Sequence, residues 1–329
     1  MTIYFDDRWL GPHGIGRFAS EIVRRTHFLP AGISGQPLSL TDPWKIRSRL
    51  QQLKPAHYFS PGFNPPIGRP CSFSLTMHDL IHLEVPEERS LAKALYYKHI
   101  IKPALQKADV VFTVSEYSRA KIIQWSGIAP DKVICVGNGV DPVFSPRGPI
   151  WRHPRPYLLY VGNQKPHKNV PGLVEAFAAS RLAGECDLLL TGAISPIVAE
   201  AAQKHGVIQQ VIGLGLVPDA ELPALYRGAR ALVMPSRYEG FGLPLIEAMA
   251  SGTPVLSSYQ TSLPEVGGDA VAYFDPNRKD SFVAGLDALA NETTCTMLRE
   301  KGLQRAQCFN WDQVAATVSN AIAQANQRN

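Results

Sequence analysis

The chain has 329 residues, 45% of them hydrophobic and 19% charged, with 33 Lys+Arg against 28 Asp+Glu for a net charge of +5. That length suits two domains of ordinary size, and the apolar content excludes a disordered or collagen-like chain. Residues 1–150 carry 18 basic and 12 acidic residues while 151–329 carry 15 and 16, a basic excess too thin for nucleic-acid binding and better suited to an anionic small molecule or anionic lipid surface.

In chain order, the first half reads as strands over 2–5, 57–60, 73–77, 110–114 and 133–136, with helices over 15–25, 90–106 and 116–125. Residues 141–149 hold three prolines and a glycine and read as a connector. The second half continues with strands over 157–161, 186–191, 211–212, 231–234, 254–257 and 271–274, and helices over 170–179, 197–205, 220–227 and 243–250. A long alanine-rich helix over 311–327 closes the chain. This alternation predicts an α/β protein with parallel sheets. Two doubly wound Rossmann-like domains, 1–148 and 149–329, are expected to face a central cleft, with the last helix, 311–329, ending the second or packing back on the first.

No apolar run approaches the roughly 18 residues of a membrane span, and the opening residues lack the basic and apolar regions of a leader. The expectation is a cytoplasmic protein. The five cysteines are scattered without a C-x-x-C pair, so reduced thiols are expected rather than disulfides or zinc. Neither H-E-x-x-H nor D-x-D occurs, and neither a metal nor a cofactor is expected.

Ligands of doubly wound sheets bind at the carboxyl ends of the strands. The sharpest segment there is Glu239-Gly240-Phe241-Gly242-Leu243-Pro244-Leu245-Ile246-Glu247, after the strand ending near Met234. Its proline suits the first turn of a helix, whose unpaired N–H groups can hold phosphate. Glu239 lies before that helix and Glu247 about one turn into it, so one can face a sugar hydroxyl and the other a ribose diol. A capped helix with incidental acids is the plainer reading of the spacing alone.

This segment resembles the E-x7-E signature of retaining glycosyltransferases of the GT-B fold, specifically glycosyltransferase family 4. The flanks 234–238 and 247–255, and 262–270 beyond them, are similar to the same family, so the resemblance covers most of the second half. It implies that Glu239 contacts donor-sugar hydroxyls, that Glu247 holds the ribose, and that the amides of Phe241, Gly242 and Leu243 meet the diphosphate.

Gly162-Asn163-Gln164-Lys165-Pro166-His167-Lys168-Asn169 lies between a strand and a helix, where a lysine can neutralise a departing diphosphate. Lys168 matches the family's lysine. Asn163 stands where the family often has an arginine, with Lys165 or His167 as substitutes for that second cation; a solvated basic turn is the ordinary alternative. Gly11-Pro12-His13-Gly14-Ile15-Gly16-Arg17 follows the first strand, and its position resembles the family's glycine loop. Gly14 and Gly16 would there let the backbone approach phosphate or sugar, or simply make a tight turn, with Arg17 at the surface. Met77-His78-Asp79-Leu80 ends a strand and resembles an H-D-L motif of a mannosyltransferase-like branch, which implies His78 against the donor sugar. Asp79 either orients that ring or caps the next turn, and His82 is structural. Ser115–Ser118 and Asn138–Asp141 resemble segments lining the family's inner cleft, but a helix N-cap and a turn explain them equally.

The function this resemblance implies is retaining, metal-independent transfer of mannose or a related deoxyhexose, from a GDP-sugar to a saccharide acceptor. The acceptor would be a saccharide or lipid-linked saccharide of bacterial surface polysaccharide or lipopolysaccharide synthesis. His78, Lys168 and Glu239 would carry catalysis. A UDP-sugar-dependent enzyme of the same fold, a GT-B sugar-nucleotide epimerase and a silent sugar-nucleotide sensor are the alternatives. The basic aromatic segment 89–102 would pack the first domain or touch a membrane surface at its inner face. No nucleic-acid partner is expected.

Overall fold

The computed structural model describes residues 2–327. The chain divides into two compact units, one running to Gly139 and resuming at Asn310, the other spanning Val140–Phe309. Residues 140–148, expected in the first domain, fall in the second unit. The last helix falls in the first, and residues 328–329 of its expected span lie outside the described residues.

The first unit contains β1 (Ile3–Phe5), α1 (Gly14–Arg24), β2 (Leu29–Pro30), α2 (Asp42–Leu53), β3 (His57–Ser60), β4 (Ser72–Thr76), α3 (Ile81–Glu84), α4 (Leu91–Tyr96), α5 (Lys102–Lys107), β5 (Val110–Thr113), α6 (Glu116–Ser126) and β6 (Val133–Cys135). All its strands are parallel in the order β2-β1-β3-β4-β5-β6. All four residues of β3 and of β5 are buried, as a parallel sheet covered on both faces requires. The single helix expected over 90–106 is interrupted by a π-helical turn, Tyr97–Ile101. Pro103 has no N–H to give the carbonyl four residues back, and the wider turn before it absorbs the mismatch.

The direction of winding reverses between β1 and β3, and a buried polar network ties the two loops there. Arg8 reaches Asp6 (2.7 Å) and Asp42 (2.6 Å), both carboxylates fully buried. Tyr58 and Asn64 donate to Asp6 Oδ2 at 3.0 and 2.7 Å. Burial alone would ease the proton off Arg8, but the two carboxylates prevail and raise its pKa.

The C-terminal helix, Trp311–Gln327, packs on α1. Trp311 lies edge-on to Phe18 at 6.3 Å, Arg25 pairs with Asp312 at 2.6 Å, and Asn326 Nδ2 donates to His57 Nδ1 at 3.2 Å. Gly139 leaves no room for a side chain, since a Cβ there would lie 2.4 Å from the Trp311 nitrogen.

The second unit contains β7 (Tyr157–Tyr160), α7 (Val170–Ala179), α8 (Leu182–Glu185), β8 (Asp187–Leu190), α9 (Pro196–Lys204), β9 (Val211–Gly213), α10 (Leu222–Gly228), β10 (Ala231–Met234), α11 (Leu243–Ala250), β11 (Val255–Ser258), α12 (Leu263–Gly267), β12 (Ala272–Phe274), α13 (Lys279–Ala288) and α14 (Glu292–Ala306). Its parallel strands run β12-β11-β10-β7-β8-β9, so the order reverses between β7 and β10. Ligand crevices of such sheets open at that reversal. Among the described residues no helix is long and apolar enough to cross a membrane.

Candidate functional site

The two loops at the β7/β10 reversal carry the two charged residues that the sequence singles out. After β7, Gly162 turns at φ +143°, its N–H donating to Thr191 Oγ1 (3.0 Å). A 3-10 turn, Pro166–Lys168, follows, and Asn169 in the left-handed region starts α7. Lys168 therefore stands at the crevice, and its Nζ meets both oxygens of Glu239 at 2.7 and 2.8 Å. The pair is largely shielded, with side chains 18% and 13% exposed, and charge attraction is stronger there than in open water.

The backbone of Glu239 is clipped in place. Its N–H donates to Thr261 Oγ1 (3.0 Å), and its carbonyl accepts from Thr261 Oγ1 and Ser262 Oγ, each at 2.9 Å. Thr261 holds φ +53°, an uncommon conformation for a branched residue. Gly242 caps α11 at φ +102° with Pro244 in the first turn, so the amides of Leu243 and its neighbours belong to a helix start. The Phe241 ring is buried edge-on against Phe309 at 5.9 Å, leaving its backbone as the part that can face a ligand. Glu247 is only 5% exposed and accepts from the Tyr226 hydroxyl at 2.9 Å.

Asn163 organises its own loop, Oδ1 accepting from the Lys165 amide (3.2 Å) and its carbonyl from the Tyr160 hydroxyl. Burial, with a smaller contribution from Glu239, pushes that phenol's pKa up, so Tyr160 is a steady donor. Of the two candidate second cations, His167 is buried, its carbonyl accepting from the Arg237 amide at 2.7 Å, and Lys165 is exposed.

In the first unit the glycine loop opens α1. His13 caps it, Nδ1 accepting from the Gly16 amide at 2.9 Å. That amide is thereby engaged, and a Cβ on Gly16 would lie 2.1 Å from the Gly11 carbonyl oxygen, so close backbone packing accounts for this glycine. Gly14 is exposed with nothing within 4 Å of a Cβ, so packing does not require a glycine there.

His78 follows β4, and its Nε2 lies 2.9 Å from the Pro61 carbonyl. A carbonyl only accepts, so Nε2 carries the proton and Nδ1 is left as an acceptor. Desolvation, against the edge of Phe18 at 5.1 Å, brings the ring's pKa down to about 4, and the nearby His13 acts in the same direction. His78 is a neutral imidazole. Asp79 caps the next turn through the Ile81 amide (2.9 Å), Ser115 caps α6 through the Ser118 amide (3.1 Å), and His82 is 3.2 Å from Lys93 Nζ.

Sequence reasoning missed Tyr226, Thr261 and Ser262, which hold the two glutamates, and His13, which shapes the glycine loop. Only His13 carried a local signal, as the polar residue directly before a helix start.

Residues 146–305 match the family described as Glycosyl transferases group 1, and residues 7–144 that described as Glycosyltransferase Family 4. The chain is 32% identical over 300 residues to O-antigen chain mannosyltransferase B of Escherichia coli, covering 86% of this chain and 78% of that one. It is 28% identical over 258 residues to the serotype-specific mannosyltransferase WbdA of Escherichia coli, covering 72% of this chain and 32% of that longer protein. The solved sucrose-phosphate synthase of Thermosynechococcus elongatus superimposes with a TM-score of 0.78 at 19% identity, over 100% of this chain and 99% of that one.

Proposed function

This chain belongs to glycosyltransferase family 4, and from that premise we propose that it transfers mannose or a related deoxyhexose from a GDP-sugar to a saccharide acceptor, with retention and without a metal ion. The chain is a glycosyltransferase of GT-B architecture, and its likeness to an O-antigen mannosyltransferase supports a place in bacterial surface polysaccharide synthesis. The observation that carries the reading is the Lys168–Glu239 pair at the β7/β10 reversal. A nucleotide diphosphate arriving there competes for the Lys168 ammonium, and Glu239 is then free to accept from sugar hydroxyls. As the glycosidic bond breaks, charge collects on the departing diphosphate. Lys168 and the amides starting α11 are aimed where that charge grows, and such preorganised donors supply much of a transfer enzyme's rate.

Glu247, steadied by Tyr226, would take the ribose hydroxyls. His78 would accept from a sugar hydroxyl through Nδ1, and Gly14 would admit close approach of a ligand to the backbone. The departing phosphate is the proposed base for the acceptor's proton, on the face that gives retention. The acceptor falls to the first unit, where Leu91 (77% exposed) and Leu95 (48%) stand beside exposed Lys98 and His99 and would meet an anionic membrane surface.

The test is thermal unfolding with GDP, UDP, ADP or CMP in EDTA. Ligand at 100 times its Kd adds about 2.7 kcal/mol. Stabilisation by GDP supports the proposed donor; a response to UDP alone keeps the enzyme class and replaces the donor. A folded sample indifferent to all four would contradict the nucleotide site.

A further inference from the structure

The first unit has a recess of about 340 Å³ that none of the roles above uses. Leu80, Leu83, Glu84, Arg89, Lys121 and Trp125 line it, and its volume is at the small end of ligand sites. Leu80 follows His78 by two residues, so the recess begins where the strand end of β4 leaves off and continues along α6.

Its chemistry is divided. Trp125 and the two leucines supply an apolar wall. The indole is flanked by the Tyr97 ring at 5.8 Å and by Lys102 Nζ, 5.9 Å from its centroid, and Lys102 also donates to the Trp125 backbone carbonyl at 2.9 Å. The rim is polar and already ordered. Lys121 Nζ lies 3.1 Å from Glu84 Oε1, and Tyr117 donates to Glu84 Oε2 at 3.3 Å. Arg89 donates to the Leu83 carbonyl at 2.6 Å and the Glu84 carbonyl at 3.3 Å.

Both cations are thus engaged by oxygen acceptors of the protein, which disfavours a phosphate as the occupant. A neutral polyol fits better. The C–H face of a pyranose packs on an indole, while its hydroxyls donate to the remaining lone pairs of Glu84 and accept from the spare hydrogens of Arg89 and Lys121. We infer that this recess is a saccharide subsite, holding a stretch of the acceptor chain away from its reacting end. The inference rests on the saccharide acceptor proposed above and adds to it a place and a length preference.

Calorimetric titration of the intact chain with mannobiose and mannohexaose, without donor, tests it. Mannohexaose should bind at least about tenfold more tightly than mannobiose. Trp125→Ala should cost the hexaose about tenfold, Trp125→Phe should restore most of it, and mannobiose should be unaffected. Glu84→Gln, a change at the rim that leaves the indole packing alone, should weaken the hexaose likewise if Trp125→Ala folds poorly. No hexaose binding by the wild type, equal affinity for both lengths, or wild-type hexaose affinity in Glu84→Gln would overturn the subsite. Stabilisation by GDP, measured on the same samples, reads the donor site separately, so failure of the nucleotide reading shows there and not in the saccharide titration.

Discussion

Lys168 and Glu239 pair with one another, and the proposed donor would compete for both, so replacing either should harm transfer far more than folding. Lys168→Ala and Glu239→Ala are each expected to lower kcat about 100- to 1,000-fold, the range for losing one preorganised charge-stabilising group, while thermal unfolding still shows a folded chain. Wild-type turnover in either variant would remove the pair from the mechanism. Both residues were singled out in the sequence by their place before a helix start and after a strand, and their proposed roles came from the family resemblance. Thr261, Ser262 and Tyr226 were not, because each acts on a glutamate some 20 residues away in the chain, at a place only the tertiary fold defines. A second residue-scale effect concerns His57, fully buried between Ser74 (2.9 Å) and Asn326. Desolvation outweighs the nearby Asp109 and brings its pKa from 6.5 to about 4. Between those values the unfolded chain binds a proton that the folded chain does not, so stability falls as pH drops through that window. His78 acts in the same sense. His57→Gln keeps a donor and an acceptor without the titration, so its unfolding temperature should drop less between pH 7 and pH 5 than the wild type's. An identical drop would show that His57 contributes nothing to acid sensitivity.

The elements divide by how much of their burial is written in their own residues. Strands such as β7 and β10 have every residue buried and read directly as apolar runs. By contrast α2 buries two aliphatic residues, Ile46 and Leu50, and its start is fixed by the Asp42–Arg8 contact, which no local pattern reveals. The helix α14 has a similar difficulty: it packs on α11 where a Cβ added at Gly302 would lie 3.3 Å from the Met249 side chain, a fit that depends on both partners. The glycine loop shows the same division within one element. Gly16→Ala forces a Cβ into the Gly11 backbone, and a clash of that kind costs about 1–3 kcal/mol. Gly14→Ala meets nothing, so its unfolding temperature should stay at the wild-type value while the KM of a ligand that approaches α1 rises. If Gly14→Ala left all kinetic constants unchanged, the loop would be a turn and no more.

At the scale of the whole molecule, the alternation of strands and helices made two doubly wound units legible, because each unit repeats a local grammar. The path of the last helix was not legible. Its buried residues Trp311, Val314, Val318 and Ile322 form a stripe that any apolar face could cover, and only the fit at Gly139 and the contacts with Arg25 and His57 assign it to the first unit. The proposed GDP-sugar donor rests on resemblance alone: the β7/β10 crevice supplies a cation, a carboxylate and a helix start, which suit any nucleotide-diphosphate sugar. The most direct measurement is therefore transfer itself. The purified chain is incubated with GDP-mannose and a mannose oligosaccharide in EDTA, and the anomeric configuration of the new linkage is read by NMR. The wild type should form an elongated saccharide with an α-linkage, nearly absent with Lys168→Ala. A β-linked product, or transfer abolished by EDTA, would contradict retention or metal independence; equal product from Lys168→Ala would contradict the site.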